Sequence, residues 1–90
     1  MPRGTPRLRT SDNKINQVGE RVKQRRQELK VKQDELCARL ARLTTGEWAP
    51  AWQDISRIEH GVRIVSDLEI LMLAEALECR ACWLLVGGPP

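Results

Sequence analysis

Gln33-Asp34-Glu35-Leu36-Cys37 and Asp54-Ile55-Ser56-Arg57-Ile58-Glu59-His60-Gly61 decide the fold of this chain. Each stretch carries apolar residues on one side of a helical pattern, with polar residues on the other. The second stops at a glycine. Two short amphipathic helices this close together, one to brace and one to insert, form the arrangement that reads DNA in the major groove.

The helix around the second stretch is predicted over Pro50 to Glu59. Pro50 suits a first helical turn, where its missing N–H is not needed. Ile55 and Ile58 point inward, with Trp52 near that side. Gln53 and Arg57, four residues apart, project together from the opposite face. The helix before it spans Gln33 to Leu43 and buries Leu36, Leu40 and Leu43, with Cys37 beside them. Thr44-Thr45-Gly46 ends it, Gly46 serving as the C-terminal residue.

Further out, Ile15, Val18, Val22 and Leu29 form one stripe, which predicts a first helix from Asn16 to Leu29. Arg25 and Arg26 flank that stripe. An arginine near a core needs a partner, and Glu59 is the candidate for Arg26. Ser66 followed by Glu69 is a capping box opening a fourth helix. Ile70, Leu73, Ala74 and Leu77 face the core, and Leu68 and Met72 fall almost opposite. A fifth helix covers Arg80 to Val86, and Gly87-Gly88-Pro89-Pro90 cannot continue it. The expected fold class is all-α, with five helices. Residues 1–13 are rich in Pro, Gly and Arg and read as a disordered basic arm, 14–87 as the domain and 88–90 as a tail.

Ninety residues allow one small domain. The net charge of +3 is unevenly spread: residues 1–32 carry +7 and residues 33–90 carry −4. That basic end suits attraction to phosphates or is a solvated charge run. The three cysteines, Cys37, Cys79 and Cys82, are odd in number, which argues for a reducing compartment. Cys79-x-x-Cys82 has metal or redox spacing, but zinc needs about four ligands. Only Cys37 and His60 remain to supply them, so the plainer reading is helical packing and no metal. No apolar run approaches the length that spans a bilayer, and the basic N-terminus leads into no apolar stretch of a secretory signal.

At this level the chain resembles the lambda-repressor-like, Cro/XRE family of helix-turn-helix domains. The residues that carry the resemblance are Val18-Gly19-Glu20-Arg21-Val22, Arg26, Gln33-x-x-Leu36, Ile55-Ser56-Arg57-Ile58-Glu59-x-Gly61, Leu73-Ala74-x-Ala76-Leu77 and Trp83-Leu84-Leu85, in that order. The resemblance implies base-edge contacts from Gln53, Arg57 and Trp52. It implies phosphate contacts from Gln33 and from the loop at Gly61 and Arg63, and an ion pair of Arg26 with Glu59 tying two helices together. It also implies a homodimer, for which Leu68, Met72 and Trp83 are the candidate contacts, and a cytoplasmic, nucleoid-associated protein of bacterial or phage origin.

Four departures from the family pattern stand out. About eight residues, Ala41 to Ala49, replace a tight turn. Trp52 stands for a polar residue, with inward packing beside Trp48 as its plainest role. Asp54 puts a negative charge where DNA would lie. Lys30 stands where glycine often ends the first helix.

The function these features imply is a sequence-specific, double-stranded-DNA-binding transcriptional regulator, a repressor, with no cofactor, no small-molecule substrate, no membrane and no catalysis. Arg can donate two hydrogen bonds to guanine, and Gln can pair bidentately with adenine. No nucleophile has an evident base, and no phosphate-cradling Gly loop is present. The alternative is a protein-interaction module of the same fold, antitoxin-like or an adaptor, whose apolar patches bind a partner polypeptide.

Overall fold

The computed structural model describes residues 8–89. Five helices follow in order: α1 (Gly19–Glu28), α2 (Gln33–Leu43), α3 (Trp52–Glu59), α4 (Asp67–Ala76) and α5 (Ala81–Val86). No strand occurs among the described residues. The expected α2 matches its observed bounds. The fourth helix opens on Ser66 as expected, while α1, α3 and α5 begin one to three residues later than expected, the first two for a local cause.

At α1 the cause is Asn16. Its Oδ1 accepts from the Gly19 N–H at 2.9 Å, while its Nδ2 donates to the carbonyls of Ile58 at 3.0 Å and Arg63 at 2.9 Å. One side chain thus starts α1 and ties it to the end of α3. Gly19 makes the approach possible, since a Cβ there would stand 2.1 Å from the Ile58 carbonyl oxygen. At α3, Pro50 is not in the first turn. Asp54 Oδ2 accepts from the Ala51 N–H at 3.1 Å and fixes Ala51 as the N-cap. Pro50 is buried just outside the helix.

The core is one cluster drawn from all five helices. Val18 and Val22 meet Leu36, Leu40, Ile55, Ile58, Leu73, Leu77 and Leu84, each essentially inaccessible to solvent. The capping box of α4 is present: Ser66 Oγ accepts from the Glu69 N–H at 3.1 Å, and Glu69 Oε1 accepts from the Ser66 N–H at 3.0 Å.

Four helices end in the same way. The residue after the cap is left-handed, and paired 5→2 and 6→1 backbone hydrogen bonds close the turn. Lys30, Thr45, Gly61 and Glu78 occupy that position, with φ of 58°, 50°, 74° and 54°. At α2 the left-handed residue is therefore Thr45, not the expected Gly46, which follows it. Lys30 adopts the strained geometry anticipated for it.

Arginines satisfy helix-end carbonyls that would otherwise lack partners. Arg25 donates to the carbonyls of Leu77 and Glu78, both at 3.0 Å, and Arg39 to that of Ala76 at 2.9 Å, so two cations close α4. A positive charge suits a helix C-terminus. No helix among the described residues is long and apolar enough to cross a membrane.

Of the expected disordered arm, residues 1–7 lie outside the described residues. Its last part is a turn: the Asn13 N–H donates to the Thr10 carbonyl at 2.9 Å and the Thr10 N–H to the Lys14 carbonyl at 2.8 Å. Ile15 then donates to the Gly61 carbonyl at 2.8 Å, so the packed chain begins before residue 14.

Candidate nucleic-acid interface

α3 is short, with one face sealed and the other open. Ile55, Ile58 and Glu59 are buried, whereas Gln53 and Arg57 are exposed and lie one turn apart. The Arg57 side chain is 57% exposed. Trp52, in the first turn, is also exposed, at 53%. This corrects the expectation that it packs inward. Trp48 packs against the core instead and leaves Trp52 on the surface.

The connector of Thr44 to Ala51 does not hang free. Thr44 Oγ1 accepts from the Trp48 N–H at 2.9 Å and lies 2.9 Å from the Leu40 carbonyl, to which it donates. The inserted residues fold back on the end of α2, and α3 stays packed against α1 and α2 through its buried isoleucines.

Behind this face lies a buried ionic node. Arg26 Nε donates to Glu59 Oε2 at 2.7 Å and Arg26 Nη2 to Glu59 Oε1 at 3.1 Å. The two side chains are 12% and 2% exposed. Arg26 Nη1 donates to the Val31 carbonyl at 3.0 Å. The Gln33 amide also donates to Glu59 Oε1, at 3.1 Å. Glu59 therefore joins α1, α3 and the first residue of α2, and it holds Gln33 half-buried beside α3. Lys32, the exposed residue before Gln33, stands at the same corner. The sequence reading passed over it, although an exposed cation at the start of a helix is a visible signal.

Asp54 is the other group that reading undervalued. Its Oδ1 accepts from Arg57 Nη1 at 2.9 Å. The carboxylate that caps α3 thus also holds the arginine of the open face.

The loop after α3 differs from expectation. Gly61 is buried and left-handed; its N–H donates to the Ile58 carbonyl and its carbonyl accepts from Ile15. The Val62 N–H is likewise taken, by the Arg57 carbonyl. These amides cannot also clamp a phosphate. Arg63 forms a bidentate pair with Glu69, both bonds at 2.9 Å. The hydrogen bonds of that pairing hold the Glu69 carboxyl below its ordinary range and raise Arg63. Gly61 and Arg63 are thus both engaged within the fold.

Two of the three candidate dimer contacts are also internal. Trp83 is 5% exposed and part of the core, and Met72 packs against it. Leu68 alone keeps its open face, at 71% exposed, and Leu71 is the exposed residue next to it on α4.

The cysteines are free. Cys37 and Cys79 are half-buried against the core and Cys82 is exposed. Burial pushes the Cys37 and Cys79 thiols up, opposite to what a reactive thiolate needs. No group of His, Cys, Asp and Glu among the described residues is placed to hold a metal.

No protein-family model and no curated protein matches the sequence. Among solved structures, the chain superposes on the P22 c2 repressor in complex with a synthetic operator, a structure determined in the presence of Tl+. The TM-score is 0.65 at 28% identity, over 79% of this chain and 96% of that one. The chain has the lambda-repressor-like helix-turn-helix fold. In this lambda-repressor-like domain α2 and α3 form the helix pair, and the eight-residue connector replaces the short turn between them without displacing α3 from the core.

Proposed function

We propose that this domain is a sequence-specific, double-stranded-DNA-binding transcriptional repressor that lays α3 in the major groove. The observation that carries this reading is the division of α3. Its inner face is fixed by Ile55, Ile58 and the Glu59 node, so Gln53 and Arg57 are presented outward on a rigid element. The likeness to a repressor solved on operator DNA supports it. Gln53 and Arg57 read base edges, and Trp52 offers an apolar surface to a thymine methyl. Lys32 and Gln33 meet the phosphate backbone and set the register. The reading assigns the chain no chemical step and places it where chromosomal or phage DNA is.

Selection from a random duplex library, followed by titration at several salt concentrations, tests it. The expected result is a preferred site whose affinity falls steeply with salt. Arg57→Ala should cost about 1–3 kcal/mol at that site and relax the preference at one base pair. Absence of any preferred duplex refutes the reading.

A homodimer on paired half-sites is the assembly we propose, with Leu68 and Leu71 as its exposed apolar contacts. Sedimentation at micromolar concentration, with and without the selected duplex, should show two copies. A monomer in both would remove the dimer. The exposure of Trp52 also fits a module that binds a polypeptide. That reading wins if Gln53→Ala with Arg57→Ala leaves DNA binding unchanged.

A further inference from the structure

Arg57 does not stand alone on the open face of α3. Asp54 Oδ1 accepts from its Nη1 at 2.9 Å, and Asp54 Oδ2 accepts from the Ala51 N–H at 3.1 Å. The second bond pins the carboxylate to the helix start, so the first is made from a fixed post and not from a swinging side chain. We propose that Asp54 is a positioning residue for base selection, holding Arg57 ready for guanine while denying it to phosphates. This rests on the DNA-binding reading above and extends it to a residue that lowers affinity for the wrong DNA.

The chemistry follows from the donor inventory. A guanidinium has five N–H groups. One donated to Asp54 leaves four, enough for the bidentate bond to guanine O6 and N7. A phosphate, by contrast, gains from Arg57 mainly through net charge, and Asp54 cancels that charge locally. The pair therefore presents geometry without net charge. An exposed ion pair of this kind contributes little to stability. Its value lies in selection: a site with the guanine recovers two directed hydrogen bonds, whereas a site without it meets a carboxylate near the groove.

The test uses the full chain and two duplexes, the library-selected site and a scrambled one of equal length. Asp54→Asn keeps an oxygen for the Ala51 N–H but removes the charge that holds Arg57, so α3 should keep its start and the Tm should stay near wild type. The expected result is tighter binding to the scrambled duplex, with a salt slope steeper by about one phosphate contact. The ratio of selected to scrambled affinity should fall about tenfold, within the range of one good bidentate contact. In an Arg57→Ala background, Asp54→Asn should leave that ratio unchanged, because Asp54 acts through Arg57. If Asp54→Asn alone keeps the wild-type ratio, or changes it equally with and without Arg57, the proposal is overturned while the DNA-binding reading stands. If the wild-type chain has no preferred duplex, both are overturned.

Discussion

Removing the Glu59 carboxylate should damage this domain more than any other single change of charge. Glu59→Ala deletes the acceptor for two Arg26 bonds and one Gln33 bond, at 2.7, 3.1 and 3.1 Å. The guanidinium left behind is 12% exposed and keeps only the Val31 carbonyl as partner. Stranding a buried charge this way costs about 3–5 kcal/mol. A domain of this size has roughly 5–13 kcal/mol in total, so a large share of the stability would go. At about 4 °C or more per kcal/mol, the Tm should drop by at least about 12 °C. Urea titration followed by helical circular dichroism measures the loss, and an unchanged m value would confirm that the unfolded state is not what moved.

Replacing both partners, Arg26→Met with Glu59→Leu, should cost much less than Glu59→Ala, since no charge is then left buried. A cost under about 1 kcal/mol for Glu59→Ala would place the pair with ordinary surface ion pairs and refute the reasoning. The same substitution also frees Gln33, so DNA affinity should fall even where the variant is folded.

Three further outcomes are expected. Gly19→Ala should destabilise by about 3 kcal/mol or more, because its Cβ would meet the backbone oxygen of Ile58 at 2.1 Å and neither helix can move aside; a Tm within a few degrees of wild type would contradict the packing. The Glu69 carboxyl, held low by Arg63, contributes stability that is fully present above its unfolded value of about 4.3 and is lost as pH falls through the lower folded value; Glu69→Gln should remove that part of the acid dependence, as read by urea midpoints between pH 6 and about 3. Alkylation at neutral pH should label exposed Cys82 before Cys37 and Cys79, whose thiols burial pushes up; equal rates at all three would argue against the half-buried placement.

The parts of the fold legible in the sequence are those set by local spacing. The bounds of α2, the Ser66–Glu69 box and the inward Ile55–Ile58 pair need only periodicity and capping chemistry to be read. The start of α1 was not legible, because Asn16 spends its side chain on carbonyls more than forty residues away. Nor was the fate of the tryptophans. Trp48 and Trp52 are both placed to pack by helical arithmetic, and only the fold-back of the connector at Thr44 decides that Trp48 takes the core side. Met72 read with Leu68 as a second apolar face of α4, and Trp83 as a contact beside it, because a helix wheel cannot show that α5 packs on α4 and that both side chains join the core.

Charge was the least legible property, and its placement bears on how DNA would be found. The basic first third of the sequence suggests a surface that attracts phosphate. In the fold its arginines are largely committed elsewhere: Arg25 to the end of α4, Arg26 to Glu59, and Arg21 to the Leu84 carbonyl. Arg39 and Arg63 are engaged as well, and Arg57 is held by Asp54. Among the described residues, exposed Arg9, Lys23, Lys30, Lys32, Arg42 and Arg80 make no ion pair. Lys30 and Lys32 stand before the start of α2, close in sequence to Gln33, the residue proposed above to meet the DNA backbone. Non-specific attraction within the described residues therefore falls to a few exposed lysines and arginines at the rim. Most of the remaining guanidiniums, whose fixed fork suits directed hydrogen bonds, are spent on helix-end carbonyls and on internal carboxylates. On the DNA-binding reading proposed above, such a domain would gain little from charge alone, and its discrimination between sites would rest on the two or three side chains that α3 holds outward.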